Sequence, residues 1–324
     1  MKKNTLNICQ VSLSRDIPII LENYKNLKKF YHFFKIFVIC PTNELQTFSE
    51  KLDYDEFEII CEDDIISLNE FKIIFEELSV SLRYKEEFKQ RLKWYYQQIL
   101  KLSFVLNFVN KKKRNIIIWD ADTIILKKID FFKNNYSIKY GTFFEFHKPY
   151  YVTNKSIIGE MPRYFISSLI QFSSITEREC IFLLKNLIIL DEKKEKLSSV
   201  IAKVILKNIF EKHEIYNGSL FSEYELIGIS NYILNKTKQK SIFTLRSGLD
   251  GKLTNMQKKI AKLFNTIHVT YEHSYLNKNS QGMLDRSQNW FNFLKIISKS
   301  LFKFHLRNIR HNFNFYYYSI RFRK

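Results

Sequence analysis

The chain has 324 residues, 45% hydrophobic and 26% charged, an ordinary globular composition that excludes wholesale disorder. Seven glycines and four prolines exclude collagen-like and linker-rich architectures, and no apolar run reaches the roughly 18–20 residues of a membrane span. Lys and Arg total 52 against 33 acids, a net charge of +19 that admits nucleic acid, an anionic membrane or polyanionic substrates as partners.

In chain order, Leu6–Leu13 is a short apolar run of strand formers, followed by a helical pattern from Ile17 to about Phe34. Lys35–Cys40 is a second strand candidate, closed by Pro41, and Phe57–Cys61 a third, closed by Glu62, Asp63 and Asp64. Phe88, Leu92, Tyr95, Ile99, Leu102, Leu106 and Val109 recur at spacings of 4 and 3, one apolar face of a long helix. Lys111–Arg114 supply the positive charge that suits its C-terminus. Asn115–Leu126 is a fourth strand carrying Asp120 and Asp122. Beyond it Gly141 opens a returning strand, Arg163–Leu190 and Glu192–Phe210 are predicted helical, and Ser241–Lys252 gives a strand and a turn.

Strands alternating with helices predict an α/β fold with a mostly parallel sheet covered on both faces. Ligands bind such sheets beyond the carboxyl ends of the strands. Ser12–Asp16, Glu62–Asp64 and Asp120–Asp122 should therefore gather at one edge. The four cysteines (Cys9, Cys40, Cys61, Cys180) form no CxxC pair and no regular spacing with histidine, so buried free thiols are expected rather than zinc. The first sixteen residues contain two lysines but no apolar stretch of signal-peptide length, and a cytoplasmic protein is expected.

Asp120-Ala121-Asp122 presents two carboxylates one residue apart at a strand end. Oxygen-rich sites of this kind hold Mg²⁺ or Mn²⁺ when a substrate phosphate supplies the remaining ligands. Three readings fit: a merely capped strand end, a haloacid-dehalogenase-like phosphatase using the DxDxT-like Asp120–Thr123, or a glycosyltransferase whose metal grips a nucleotide-sugar diphosphate. The phosphatase needs a later paired acidic motif. The aspartates after Thr123 are Asp130, Asp191, Asp250 and Asp285, none so paired. A sugar nucleotidyltransferase would want a glycine-rich loop where this chain has Ser12-Leu13-Ser14-Arg15-Asp16.

Four segments in order carry a resemblance. They are Val11–Asp16 (VSLSRD), Trp94–Lys101 (WYYQQILK), Asp120–Thr123 (DADT) and Ser222–Glu225 (SEYE). Together they resemble bacterial glycosyltransferases of the GT-A, Rossmann-like fold from surface-polysaccharide and lipooligosaccharide gene clusters. The resemblance covers residues 11 to about 228. It implies a nucleoside-diphosphate sugar donor, a glycan or glycolipid acceptor and a divalent metal, Mn²⁺ or Mg²⁺. Asp122 would contact the metal directly, and Asp120 would contact it through water or else meet the ribose. A third ligand would come from His273 or His268, which lie five apart and on opposite sides if the segment is extended. Lys101, Gln97 and Gln98 occupy the polar side of the long helix, where Lys101 would meet a donor phosphate. Arg15, Asp16 and Asp63 follow the first and third strands, where such enzymes hold the base and ribose. Glu223 would be the general base toward an acceptor hydroxyl, or would position the acceptor. Ser222 to Glu225 is equally a helix-capping signature.

The chain divides into a catalytic domain, residues 1–285, and a tail, 286–324, that holds nine Lys or Arg and no acid. Trp290, Leu294, Ile297, Leu301 and Phe304 recur at helical spacing with Lys295, Lys299 and Lys303 between them. That is the pattern of an interfacial amphipathic helix, and it predicts a peripheral protein at an anionic membrane face. The rival class is a basic membrane- or nucleic-acid-binding protein whose Asp-x-Asp is incidental. No zinc spacing, helix-turn-helix or aromatic RNA-binding motif supports the nucleic-acid version, so no nucleic-acid partner is expected.

Overall fold

The first three apolar runs lie side by side because a parallel sheet lets each bury both of its faces. In the computed structural model, which describes residues 5–133, 136–141, 147–159, 167–188, 195–214, 218–235, 240–245, 249, 252–271 and 288–302, they are β1 (Leu6–Val11), β2 (Phe34–Cys40) and β3 (Phe57–Cys61). With β4 (Ile116–Trp119) and the strand Phe172–Ile175 they form a five-stranded sheet in the order β3, β2, β1, β4 and Phe172–Ile175. β1 pairs in parallel with β2 and with β4, β2 in parallel with β3, and only Phe172–Ile175 runs antiparallel, against β4. This is the mixed α/β fold with a mostly parallel sheet that the alternation predicts.

The strand order matters for function. The chain steps outward from β1 to β3 and then returns to place β4 on the other side of β1. A crevice opens at such a reversal, at the carboxyl ends of the two central strands.

Alternate residues of β1 enter different cores. Cys9 and Val11 join the long helix Leu92–Lys112 on one face, while Ile8 joins α1 (Ile17–Phe30) on the other. The four cysteines are free thiols, three of them buried, and burial pushes Cys40 and Cys180 up to about 12.

Several sequence expectations need correction. The run Asn115–Leu126 is not one strand: the chain turns at Asp120–Asp122, where the Thr123 amide donates to the Asp120 carbonyl (3.1 Å). It resumes as β5 (Thr123–Ile125), which pairs antiparallel with Thr266–Thr270 in a separate three-stranded sheet. Within the stretch predicted helical from Arg163, Phe172–Ile175 is a strand because β4 offers it an open edge, and the helix is Glu177–Leu187. Phe88 belongs to a short helix of its own, Lys85–Lys89, ahead of the long one.

The C-terminal stretch is helical over 290–302, the described limit of the predicted tail helix; Phe304 lies outside the described residues. Its inward residues are Phe293 and Ile297, packed with Ile124, Leu245, Val269 and Tyr271. Trp290 and Leu294, placed with Ile297 on the expected stripe, are exposed instead. The three-stranded sheet captures the side of the helix that seals its own core.

Candidate functional site around the carboxylate pair

The long helix is buried nearly all round. Its apolar face packs on the sheet as the spacing predicts, while Gln98, Lys101 and Ser103, on the side expected to be polar and open, are buried too. The reason is a second layer of helices, Glu177–Leu187, Leu197–Lys212 and Glu223–Asn235, packed over it. A lysine trapped between two layers needs counter-charges, since an unpaired buried ammonium is costly.

Lys101 finds two. Its Nζ, on a residue only 4% exposed, lies 2.5 Å from Asp120 Oδ1 and 3.2 Å from Glu223 Oε1. Glu223 is 3% exposed. With the Gln98 amide turned so that its nitrogen faces them, it donates to Glu223 Oε2 (3.1 Å) and to the Phe221 carbonyl (3.2 Å). Tyr224 donates its hydroxyl to Asp120 Oδ1 at 2.6 Å, and its ring lies 5.1 Å from the ammonium. Both Glu223 and Tyr224 sit in the first turn of the helix Glu223–Asn235, where a carboxylate suits the helix dipole.

The charges respond accordingly. Burial opposes the Lys101 ammonium, but Asp120 and Glu223 outweigh it and hold its pKa above the ordinary lysine value. Burial, with the charge of Asp120 adding to it, raises Glu223 despite Lys101. Burial and the two carboxylates push Tyr224 far up, so its phenol stays a donor.

Asp122 lies at the tip of the turn, half-buried. The Thr123 hydroxyl lies 3.2 Å from Asp122 Oδ1 and 2.8 Å from the Thr270 hydroxyl. If Thr123 gives its single proton to Asp122, Thr270 donates to Thr123. The Asp120 amide donates to the Gln171 carbonyl (2.9 Å), which ties the turn to the antiparallel strand.

The other sequence candidates are dispersed. Asp16 caps its own short turn, with Oδ2 at 3.4 Å from both the Ser12 hydroxyl and the Leu13 amide. The Arg15 side chain is exposed, its Nε 3.9 Å from Asp16 Oδ1. Both follow β1, beside the carboxylate turn in strand order. Asp63, exposed after β3 and thus two strands from β1, accepts from the Thr42 hydroxyl. Gln97 is half-buried, and no hydrogen bond joins it to the cluster among the described residues. His268, the alternative third ligand, is fully buried, edge-on to Trp119 and Phe172. His273 lies outside the described residues.

Ser222 caps the helix Glu223–Asn235, accepting from the Glu225 amide at 3.4 Å. The Glu225 carboxylate accepts from Ser167 (2.5 Å) and the Ser168 amide (3.1 Å). Tyr224, a member of the cluster, carried no sequence signal beyond its place between Glu223 and Glu225.

Among the described residues, no three His, Cys, Asp or Glu side chains are grouped so as to hold a metal ion by themselves. The donor chemistry nonetheless fits a hard divalent cation: Asp120 and Asp122 are half-buried oxygen donors, and the one Lys101 ammonium is already shared between Asp120 and Glu223, leaving Asp122 without that counter-charge. Such a pair needs oxygen from a ligand to complete the coordination.

No protein-family model and no curated protein matches the sequence. Among solved structures the chain is similar to the PaToxG glycosyltransferase (11% identity, 64% of this chain and 69% of that one, TM-score 0.32). It is also similar to mouse xyloside xylosyltransferase 1 (9% identity, 83% and 98%, TM-score 0.39). A third likeness is to an active-site mutant of LgtC (9% identity, 91% and 96%, TM-score 0.35). At these scores the likeness carries no residue roles across.

Proposed function

We propose that the chain is a GT-A-like glycosyltransferase that moves a sugar from a nucleoside-diphosphate sugar to a glycan or glycolipid acceptor. One observation carries the reading: a buried lysine joins buried Glu223 to Asp120, the first carboxylate of an Asp-x-Asp turn at the strand reversal of a mostly parallel sheet. A mere strand cap has no use for such a costly arrangement.

Asp122 and Asp120 would hold Mg²⁺ or Mn²⁺, which when bound neutralises the diphosphate leaving group. Lys101 fixes the orientation of Asp120 from below. Glu223 holds Lys101 with Oε1. As a base toward an acceptor hydroxyl it would act through Oε2, and its raised pKa suits proton uptake. A nucleotide site near Arg15 and Asp16 is part of this reading, and its support is that β1 lies next to β4 in the sheet. The four resembling segments support an acceptor among lipopolysaccharide, lipooligosaccharide or capsule glycans.

Action at the cytoplasmic face of an anionic membrane is part of the same proposal. Its support is the unopposed charge of residues 286–324 and the outward face of helix 290–302, where Phe291 is 76% and Phe302 66% exposed beside Lys295 and Lys299. Among the described residues no helix is long and apolar enough to cross a membrane.

Thermal-shift and ¹H NMR titration with UDP-, GDP- and dTDP-sugars, with and without Mn²⁺, tests the central reading. A nucleotide should stabilise the protein only when the metal is present. Silence toward every nucleotide under both conditions refutes it.

A further inference from the structure

Gln171, the residue just before the strand Phe172–Ile175, combines two features that its place there does not require. Its backbone has φ +61°, a region that favours glycine or asparagine and that glutamine seldom adopts. The other described non-glycine residues with positive φ are explained locally: Lys113 closes the long helix and Asn265 sits in the turn before Thr266–Thr270. Gln171 is only 6% exposed, and its Oε1 is buried with no hydrogen-bond partner. Buried side-chain oxygens are normally satisfied, so an orphan calls for an explanation.

The backbone twist has a clear task, aiming the Gln171 carbonyl at the Asp120 amide. Glycine would perform it without strain. That backbone task does not call for the side chain, and the residue is bonded through its carbonyl to the turn that carries the two carboxylates. We infer that Gln171 is a specificity-determining residue whose amide reads a hydroxyl of the donor sugar. The inference rests on the glycosyltransferase reading. A diphosphate held by Asp120 and Asp122 has its sugar on the adjoining phosphate, within the neighbourhood of the Asp120 backbone. An amide is suited to this task because it accepts through Oε1 and donates through Nε2, matching the two faces of a sugar hydroxyl.

The test uses Gln171→Gly, which removes the amide and relieves the backbone, and Gln171→Met, which keeps the bulk without hydrogen bonding. Affinities for free UDP, GDP and dTDP and for a panel of their hexose conjugates are measured by calorimetry with Mn²⁺, alongside melting temperatures. The wild type should prefer one hexose. Both variants should flatten that preference about tenfold, the size of one neutral hydrogen bond, with free diphosphate binding unchanged and Gln171→Gly melting no lower than wild type. A preference that survives in either variant, no hexose preference in the wild type, or a matching loss of free diphosphate affinity overturns the inference. A wild-type chain that binds no nucleotide instead sinks the glycosyltransferase reading itself.

Discussion

Tyr224 and Lys101 hold the same oxygen of Asp120, the phenol from 2.6 Å and the ammonium from 2.5 Å. One side of the first carboxylate of the pair is thus fixed before any ligand arrives. Partners behind a metal ligand commonly change metal affinity by about 10–100-fold when removed. Tyr224→Phe should therefore weaken Mn²⁺ binding in the presence of nucleotide by about that factor, while stability falls by only about 1 kcal/mol. Metal titration followed by thermal shift reads both quantities, and an unchanged Mn²⁺ midpoint would show that Tyr224 serves packing alone.

The two aspartates should differ in what their removal does. Asp122 is half-buried at the tip of the turn, so Asp122→Ala should abolish transfer with little loss of stability. Asp120→Ala should abolish transfer and also lower the melting temperature, because it leaves Lys101 with Glu223 as its one remaining carboxylate partner. Transfer assays paired with denaturant unfolding separate the two effects. Wild-type transfer in both variants would make the pair structural.

Lys101→Met should destabilise the fold by about 3–5 kcal/mol, the usual consequence of stranding buried charge. Adding Glu223→Gln should recover part of that loss, since one of the stranded carboxylates is gone. A double variant no more stable than the single one would show that Glu223 and Lys101 are not energetically coupled.

Lys139 predicts a pH effect far from neutrality. It is buried, its Nζ donates to the Ser174 carbonyl (2.6 Å) and lies 3.2 Å from Ser173 Oγ, and burial, only partly offset by Glu179, lowers its pKa to about 8. The unfolded chain keeps that proton up to the ordinary lysine value of 10.5. Between the two values the unfolded state binds more protons, so stability rises with pH there. The penalty for burying the charge is fully present below pH 8 and amounts to about 3 kcal/mol. Relative to Lys139→Met, the wild type should gain stability from pH 8 to 10, as measured by urea unfolding. Parallel profiles would rule out the titration.

Membrane docking calls for a surface variant. Cutting the chain after Asp285 would strip Phe293 and Ile297 from the core they seal, so a loss of binding would be ambiguous. Replacing exposed Phe291 and Phe302 with serine, and Lys295 and Lys299 with glutamate, leaves that core intact. The wild type should float with anionic vesicles at low salt and sink at high salt. The variant should remain unbound, and equal flotation of the two would remove this face from the proposal.

The strand–helix alternation, the Asp-x-Asp at a strand end and the apolar face of the long helix are written in the sequence, because each depends on neighbours within a few residues. Asp120 and Asp122 were visible for that reason, and so was the crevice side of the sheet. What the alternation did not reveal was that Lys101 is buried. That depends on helices drawn from residues 177–235 closing over the side of the long helix that its own pattern marks as polar. Glu223 meets Lys101 across 122 positions, and no local spacing encodes such a pairing. The same holds for the strand Phe172–Ile175, set by the open edge of β4, for the strained Gln171, set by the Asp120 amide, and for the last helix, turned by the core it seals. Local periodicity selected the elements; burial by distant segments decided which of their polar side chains became a site.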